Sequence, residues 1–405
     1  MGCVVTYSPE RLRAATPALH AGVAFFDGPG GTQTPQPVID VMAAAMQAGL
    51  SNRGRLTQAA RHADDITVAA RQACADLLGA DSRGIVFGRS ATEITFQIAR
   101  TLSTSWGPGD EIVVTDLDHD ANVRPWVRYA EASGATLRWA RIDPDTGELP
   151  VDAIASVVSN RTRVVAVTAA SNVIGTRPDL EGIARIVRAA DALFYVDGVH
   201  ATAHVPIDAT VADFWVCSPY KFLGPHLGAL AASPALLETL HPDKLRPSPD
   251  AVPERFELGT LPYELLAGVV AAIDVIADLV PGDEVSWTRR DRILRSMLAV
   301  EHYETDLVSE LRAGLEHLPG VRLYGHAALR TPTEFFSFAD HDSADVAQTL
   351  ADRGINAPAS NFYAIETCDA LGLGAAGAVR AGLAPYSTRE DVDRLLTALA
   401  DIVGA

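Results

Sequence analysis

The feature that most constrains this sequence is an alternation. Over its first two-thirds, short apolar runs take turns with stretches of helical periodicity. The runs are Gly84–Phe87, Glu111–Thr115, Thr136–Arg141, Arg163–Thr168, Leu193–Val196, Phe214–Cys217 and Gly228–Ala231. Helical patterns at Ala63–Leu78, Thr92–Leu102, Val123–Ala132 and Leu180–Ala190 lie between them. This order predicts an α/β fold, with a mostly parallel sheet sandwiched by helices. Val164-Val165-Ala166-Val167 is apolar on both faces, as buried parallel strands are. Ligands of such sheets collect at the carboxyl ends of the strands.

After Pro262 the pattern changes. Helices are expected at Glu264–Leu279, Trp287–Leu318, Ala344–Arg353 and Arg389–Ile402, strands at Val321–Tyr324 and Glu334–Phe338, and an irregular loop at Asn356–Ala364. This describes a smaller C-terminal α+β domain. The expected division is an N-terminal segment 1–20, a large domain 21–285 and a small domain 286–405.

Two strand ends carry chemistry. Leu193–Val196 runs into Asp197-Gly198, and Phe214–Cys217 into Ser218-Pro219-Tyr220-Lys221. A lysine after a strand is ordinarily solvated, and an Asp-Gly is ordinarily a turn. Together, at the ends of neighbouring buried strands, they match the needs of pyridoxal phosphate. That cofactor takes a lysine for its Schiff base and a carboxylate to keep its pyridine nitrogen protonated. Ser90-Ala91-Thr92-Glu93 opens a helix just after a strand, which makes it both an ordinary capped N-terminus and a ready anion site.

Composition narrows the function. A formal net charge of −18 argues against a nucleic-acid partner, whose binders carry clustered basic residues. Cys3, Cys74, Cys217 and Cys368 are widely spaced, with no CxxC pair, so neither a cysteine zinc site nor a disulfide framework is expected. No metal is expected, and a reducing, cytoplasmic setting fits. Met1–Thr6 shows no secretory signal, though it matches a loose myristoylation pattern. The most apolar stretch, Leu265–Val280, carries Asp274 and Asp278 and is too short and charged for a membrane span.

Further motifs follow the strands in order. They are Phe25-Phe26-Asp27-Gly28, Asp118-His119-Asp120-Ala121-Asn122, Ser171-Asn172-Val173-Ile174-Gly175-Thr176, Arg255-Phe256-Glu257-Leu258-Gly259-Thr260 and Arg380-Ala381-Gly382-Leu383-Ala384-Pro385-Tyr386. With the serine, aspartate and lysine segments they resemble, over nearly the whole chain, the class V aminotransferase family of fold-type I pyridoxal-phosphate enzymes. The cysteine desulfurase-like branch is the nearest match. The resemblance implies that Lys221 carries the cofactor and moves the α-proton, and that Asp197 pairs with the pyridinium. His119 would stack on the ring, while Asn172 and His200 would contact its phenolic oxygen. Ala91, Thr92, Ser218 and Tyr220 would hold the phosphate. Thr260 would reach the phosphate of a partner subunit, which implies a homodimer, and Arg380 would bind the α-carboxylate of an amino-acid substrate as a two-pronged donor.

The sequence departs from that branch at one position. Cysteine desulfurases use a mobile cysteine that accepts sulfur as a persulfide. In this chain the corresponding loop reads Ser360-Asn361-Phe362-Tyr363-Ala364, with Tyr363 at the cysteine's place. Tyrosine forms no persulfide, so the expected reaction is β-elimination from cysteine or a cysteine S-conjugate, with Tyr363 as an acid to the leaving group or a packing residue. Transamination, epimerisation and decarboxylating deamination of a specialised amino acid are open alternatives, as is a non-catalytic member of the fold. Asn361 and Arg53 are expected near the substrate.

Overall fold

The computed structural model describes residues 7–282 and 286–404. The alternating runs form one seven-stranded sheet. Its strands are β1 (Ile85–Gly88), β2 (Glu111–Thr115), β3 (Thr136–Ala140), β4 (Thr162–Thr168), β5 (Leu193–Asp197), β6 (Phe214–Cys217) and β7 (Gly228–Ala232). The spatial order is β1-β7-β6-β5-β4-β2-β3. Strands β3, β2, β4, β5 and β6 pair in parallel, while β7 runs antiparallel to both neighbours. Buried cores lie on both faces of the sheet. One is built around Val113, Val165, Phe194 and Trp215, the other around Val114, Ala166, Tyr195 and Val216. Consecutive residues of one strand thus enter opposite cores, which is why Ile112–Val114, Val164–Val167, Phe194–Val196 and Phe214–Cys217 are apolar without a break.

Helix α1 (Gln58–Leu78) starts five residues before the expected Ala63, because the Thr57 hydroxyl caps the Ala60 N–H at 3.1 Å. Helix α2 (Ala91–Ser103) is capped by Ser90, whose hydroxyl accepts from the Glu93 N–H at 3.1 Å. The long helix α3 (Arg289–Glu316) leads into the C-terminal part. There β8 (Val321–Tyr324), β9 (Thr333–Phe338), β10 (Ala359–Ser360) and β11 (Ala378–Gly382) form an antiparallel sheet in the order β10-β11-β9-β8.

Two local differences from the sequence reading matter for function. The segment 356–364 is not wholly irregular, since β10 pairs with β11 and so ties the loop to Arg380's strand. Ala24–Phe25 pairs in parallel with Ile355–Asn356, and Asp27 bridges to Gly382. The N-terminal Asp27 motif therefore joins the C-terminal sheet. The 285/286 boundary and the Met1–Thr6 pattern both touch residues outside the described set.

Candidate active site

A cavity of about 360 Å³ opens at the carboxyl ends of β4, β5 and β6. Lys221 enters it from the 3-10 turn that follows β6, and Asp197 from the end of β5. Two glycines permit the close approach. A Cβ on Gly198 would lie 2.1 Å from the Trp215 indole nitrogen, and one on Gly228 would lie 2.4 Å from the Ser90 carbonyl carbon. The strand ends and the start of α2 can therefore crowd together around one space.

Burial sets the charges. Removal from water depresses the Lys221 ammonium to about 7, with the Arg380 cation adding to the effect and the Asp27 and Asp197 carboxylates opposing it. Its Nζ donates to the Pro29 carbonyl. Burial lifts the Asp197 carboxyl to about 6, against the Val199 N–H that it accepts at 2.9 Å and the nearby Lys221 charge. His119 is pushed down to about 4 by burial and by the Lys221 and Arg380 charges, which leaves a neutral ring. The turn carrying it is held by Asn122, whose amide donates to Asp118 at 2.7 Å and accepts from the Trp126 indole at 3.0 Å.

Arg380, only 2% exposed, donates to the Asn172 carbonyl at 3.2 Å and to Asp27. His200 is buried, with Nε2 at 2.9 Å from the Thr331 hydroxyl and 3.2 Å from that of Thr333. Behind it, His204 pairs with the buried Glu304 at 2.9 Å. Three buried polar atoms in this region lack a protein partner: Asn172 Oδ1, His200 Nδ1 and Arg380 Nε. Orphaned groups of this kind call for a ligand.

A pyridoxal-phosphate group fits these residues. Lys221 and Asp197 would hold its aldehyde and ring nitrogen, a neutral His119 its face, and Ala91, Thr92 and Ser218 at the start of α2 and after β6 its phosphate. Tyr220 also lines the cavity, with its ring stacked on His226 at 4.6 Å. No group of three or more His, Cys, Asp or Glu side chains among the described residues is placed to hold a metal.

Two expected residues are elsewhere, and Thr260, expected at a partner's site, lies outside its own chain's cavity. Arg53 does not line the cavity, because its guanidinium is engaged by Asp64 at 2.8 Å and Glu254 at 3.2 Å. Asn361 does not face it either, since its amide donates to the Ala375 carbonyl at 3.2 Å and accepts from the Tyr363 N–H at 3.0 Å. Thr260 is exposed, outside the cavity, with its hydroxyl 3.5 Å from the Asn52 side chain. The reading of single motifs overlooked Asp27 and Phe362, which both line the site. The Phe25-Phe26-Asp27-Gly28 match was a signal for the first, and the loop Asn361-Phe362-Tyr363 a signal for the second.

Tyr363 is at the cavity mouth. It is 69% exposed, with its ring 5.5 Å from that of His119. Cys368 is fully buried on the short helix Ile365–Ala370, and burial pushes its thiol up to about 12. Cys74 and Cys217 are buried too, and no cysteine lines the cavity among the described residues.

The aminotransferase class-V family model matches residues 24–395. The chain belongs to that family. It is 34% identical over 402 residues to an uncharacterised protein of Mycobacterium tuberculosis, covering 98% of this chain and all of the other. It is 30% identical over 425 residues to a cysteine desulfurase of Salmonella agona, covering 98% and 99% of the two chains. Among solved structures, a cysteine desulfurase of Escherichia coli superposes with a TM-score of 0.85 at 26% identity, covering 98% of this chain and all of that one. The apo cysteine desulfurase of Thermococcus onnurineus gives 0.89 at 25% identity, covering 99% and 100%. The fold is that of the cysteine desulfurases, and the cysteine desulfurase-like branch is the part of the family to which this class V chain is related.

Proposed function

We propose that this chain is a pyridoxal-phosphate enzyme that breaks the C–S bond at Cβ of cysteine or a cysteine S-conjugate by β-elimination. The observation that carries the reading is Tyr363 at the cavity mouth, with every described cysteine buried away from the cavity. A site without an accessible thiol has no acceptor for a persulfide.

Bound there, the cofactor supplies an electron sink for negative charge at a substrate's Cα. Arg380 takes the α-carboxylate, using the buried Nε that has no protein partner. Lys221 Nζ, depressed to about 7, has a substantial free-amine fraction at neutral pH and accepts the Cα proton. Asp197 would pair with the cofactor's ring nitrogen and keep it protonated. Tyr363, its ring 5.5 Å from that of His119 at the mouth, would pack over the site or give a proton to the departing sulfur. Loss of sulfur from Cβ, followed by hydrolysis, turns cysteine and water into pyruvate, ammonia and hydrogen sulfide.

A homodimer is part of this proposal. Thr260 and Arg53 lie outside their own chain's cavity, and the nearby Leu56 and Leu258 are exposed. A partner subunit would cover these side chains and present Thr260 to the neighbouring site. The cysteine usage supports a cytoplasmic setting. No described helix is long and apolar enough to cross a membrane.

The test is product analysis with L-cysteine and S-methyl-L-cysteine. Pyruvate with ammonia is expected. Alanine would overturn the proposal in favour of desulfuration, and a keto acid that retains sulfur would overturn it in favour of transamination.

A further inference from the structure

Arg380 is held from three sides. Asp27 and the Asn172 carbonyl take hydrogen bonds from its terminal nitrogens, and the Phe362 ring lies 3.7 Å from its guanidinium carbon. That separation is a stacking contact, and both the cation and the π-face favour it. Stacking closes one face of the guanidinium. The unpaired, buried Nε then remains as an edge for an incoming anion.

Phe362 is not free to leave. Phe362 and Tyr363 are consecutive left-handed residues, with φ of +49° and +60°. Non-glycine residues avoid this region unless neighbours hold them there. Here the Asn172 amide donates to the Phe362 carbonyl at 3.0 Å, and the Asp120 N–H to the Tyr363 carbonyl at 2.7 Å. The Phe362 N–H reaches the Ser360 hydroxyl at 3.3 Å, and Asn361 braces the turn through Ala375. Because a carbonyl can only accept, the Asn172 nitrogen must face the loop, which fixes the orientation of that amide. Asn172 therefore grips the turn with its side chain while its own carbonyl accepts from Arg380.

We propose that the turn Asn361–Ala364 is a fixed clamp, and that Phe362 is a positioning residue which presents the Nε edge of Arg380 to a substrate α-carboxylate. The clamp makes carboxylate recognition a property of the loop as well as of the arginine. The inference rests on the reading of Arg380 as the carboxylate site. It does not depend on which bond the enzyme breaks.

The experiment compares two probes that differ only in the carboxylate, S-methyl-L-cysteine and 2-(methylthio)ethylamine. Each is titrated into the cofactor-loaded enzyme and followed by the change in cofactor absorbance. The affinity ratio measures carboxylate recognition without reference to turnover. Phe362→Leu and Phe362→Ala should reduce that ratio by roughly twofold to thirtyfold, the range a cation–π contact supplies. Phe362→Tyr should restore it. A purely structural role would weaken both probes together and leave the ratio alone. An unchanged ratio in folded Phe362→Leu overturns the clamp. A wild-type enzyme that binds both probes equally overturns the Arg380 reading, and the clamp with it.

Discussion

The depressed lysine invites a direct titration. An ordinary lysine, with a pKa near 10.4, is free amine to only about 0.4% at pH 8. Lys221, at about 7 in its buried site, should be roughly 90% free amine at that pH. The ratio between them is about two hundredfold. The assay is trace acetylation of the cofactor-free protein across pH 5 to 10, read by mass spectrometry of the Lys221 peptide. Lys244 is the chain's one other lysine, so the peptide map is simple, and a model amine run alongside gives the unperturbed curve. Only the shape of the profile is used, because a weaker base is also a weaker nucleophile. Labelling should rise through an inflection near 7 and then flatten. Charge substitutions should move the inflection in opposite directions. Arg380→Gln removes a cation that disfavours the ammonium and should raise it, whereas Asp27→Asn removes a supporting carboxylate and should lower it. An inflection near 10 in the wild type would refute the claim that burial controls this lysine, and the assignment of Lys221 as a base at neutral pH would fail with it.

Three further outcomes are expected. Glu257→Ala should destabilise the chain by about 2–4 kcal/mol in urea unfolding, because it removes two 2.8 Å hydrogen bonds from the buried Arg71 and one from the Phe87 N–H, leaving Arg71 the longer Glu254 pair at 3.4 Å; a loss under about 1 kcal/mol would mean that Glu254 takes over the guanidinium. Asp197→Asn should weaken pyridoxal-phosphate binding by roughly tenfold to a hundredfold in a fluorescence titration, the worth of a hydrogen bond to a charged group, and equal affinity would show that the carboxylate does not meet the ring. Cys368→Ala should keep the product and rate of the wild type while costing about 1–2 kcal/mol of stability, since the residue packs in the core; loss of turnover in a folded variant would revive the persulfide route.

Much of this molecule is written in local pattern. A strand that enters a core on each face must be apolar through its middle, so β2, β4, β5 and β6 stand out along the chain. Lys221 and Asp197 follow such strands directly, and a parallel sheet brings strand ends together, so their meeting in one cavity could be foreseen. Partnerships between distant segments had no such signature. Asp27 reaches Arg380 across 353 positions because Ala24–Phe25 joins a strand at Ile355–Asn356, and no local periodicity announces that pairing. Arg53 looked available for substrate, yet Asp64 and Glu254 take its charge. Phe362 carries no role in the sequence reading, and the fold sets its ring over a buried guanidinium. Burial periodicity is a property of neighbours along the chain, and it determined the sheet and its strand-end residues. The direction in which each site side chain spends its hydrogen bonds depends on residues hundreds of positions away, and only the tertiary structure decided it.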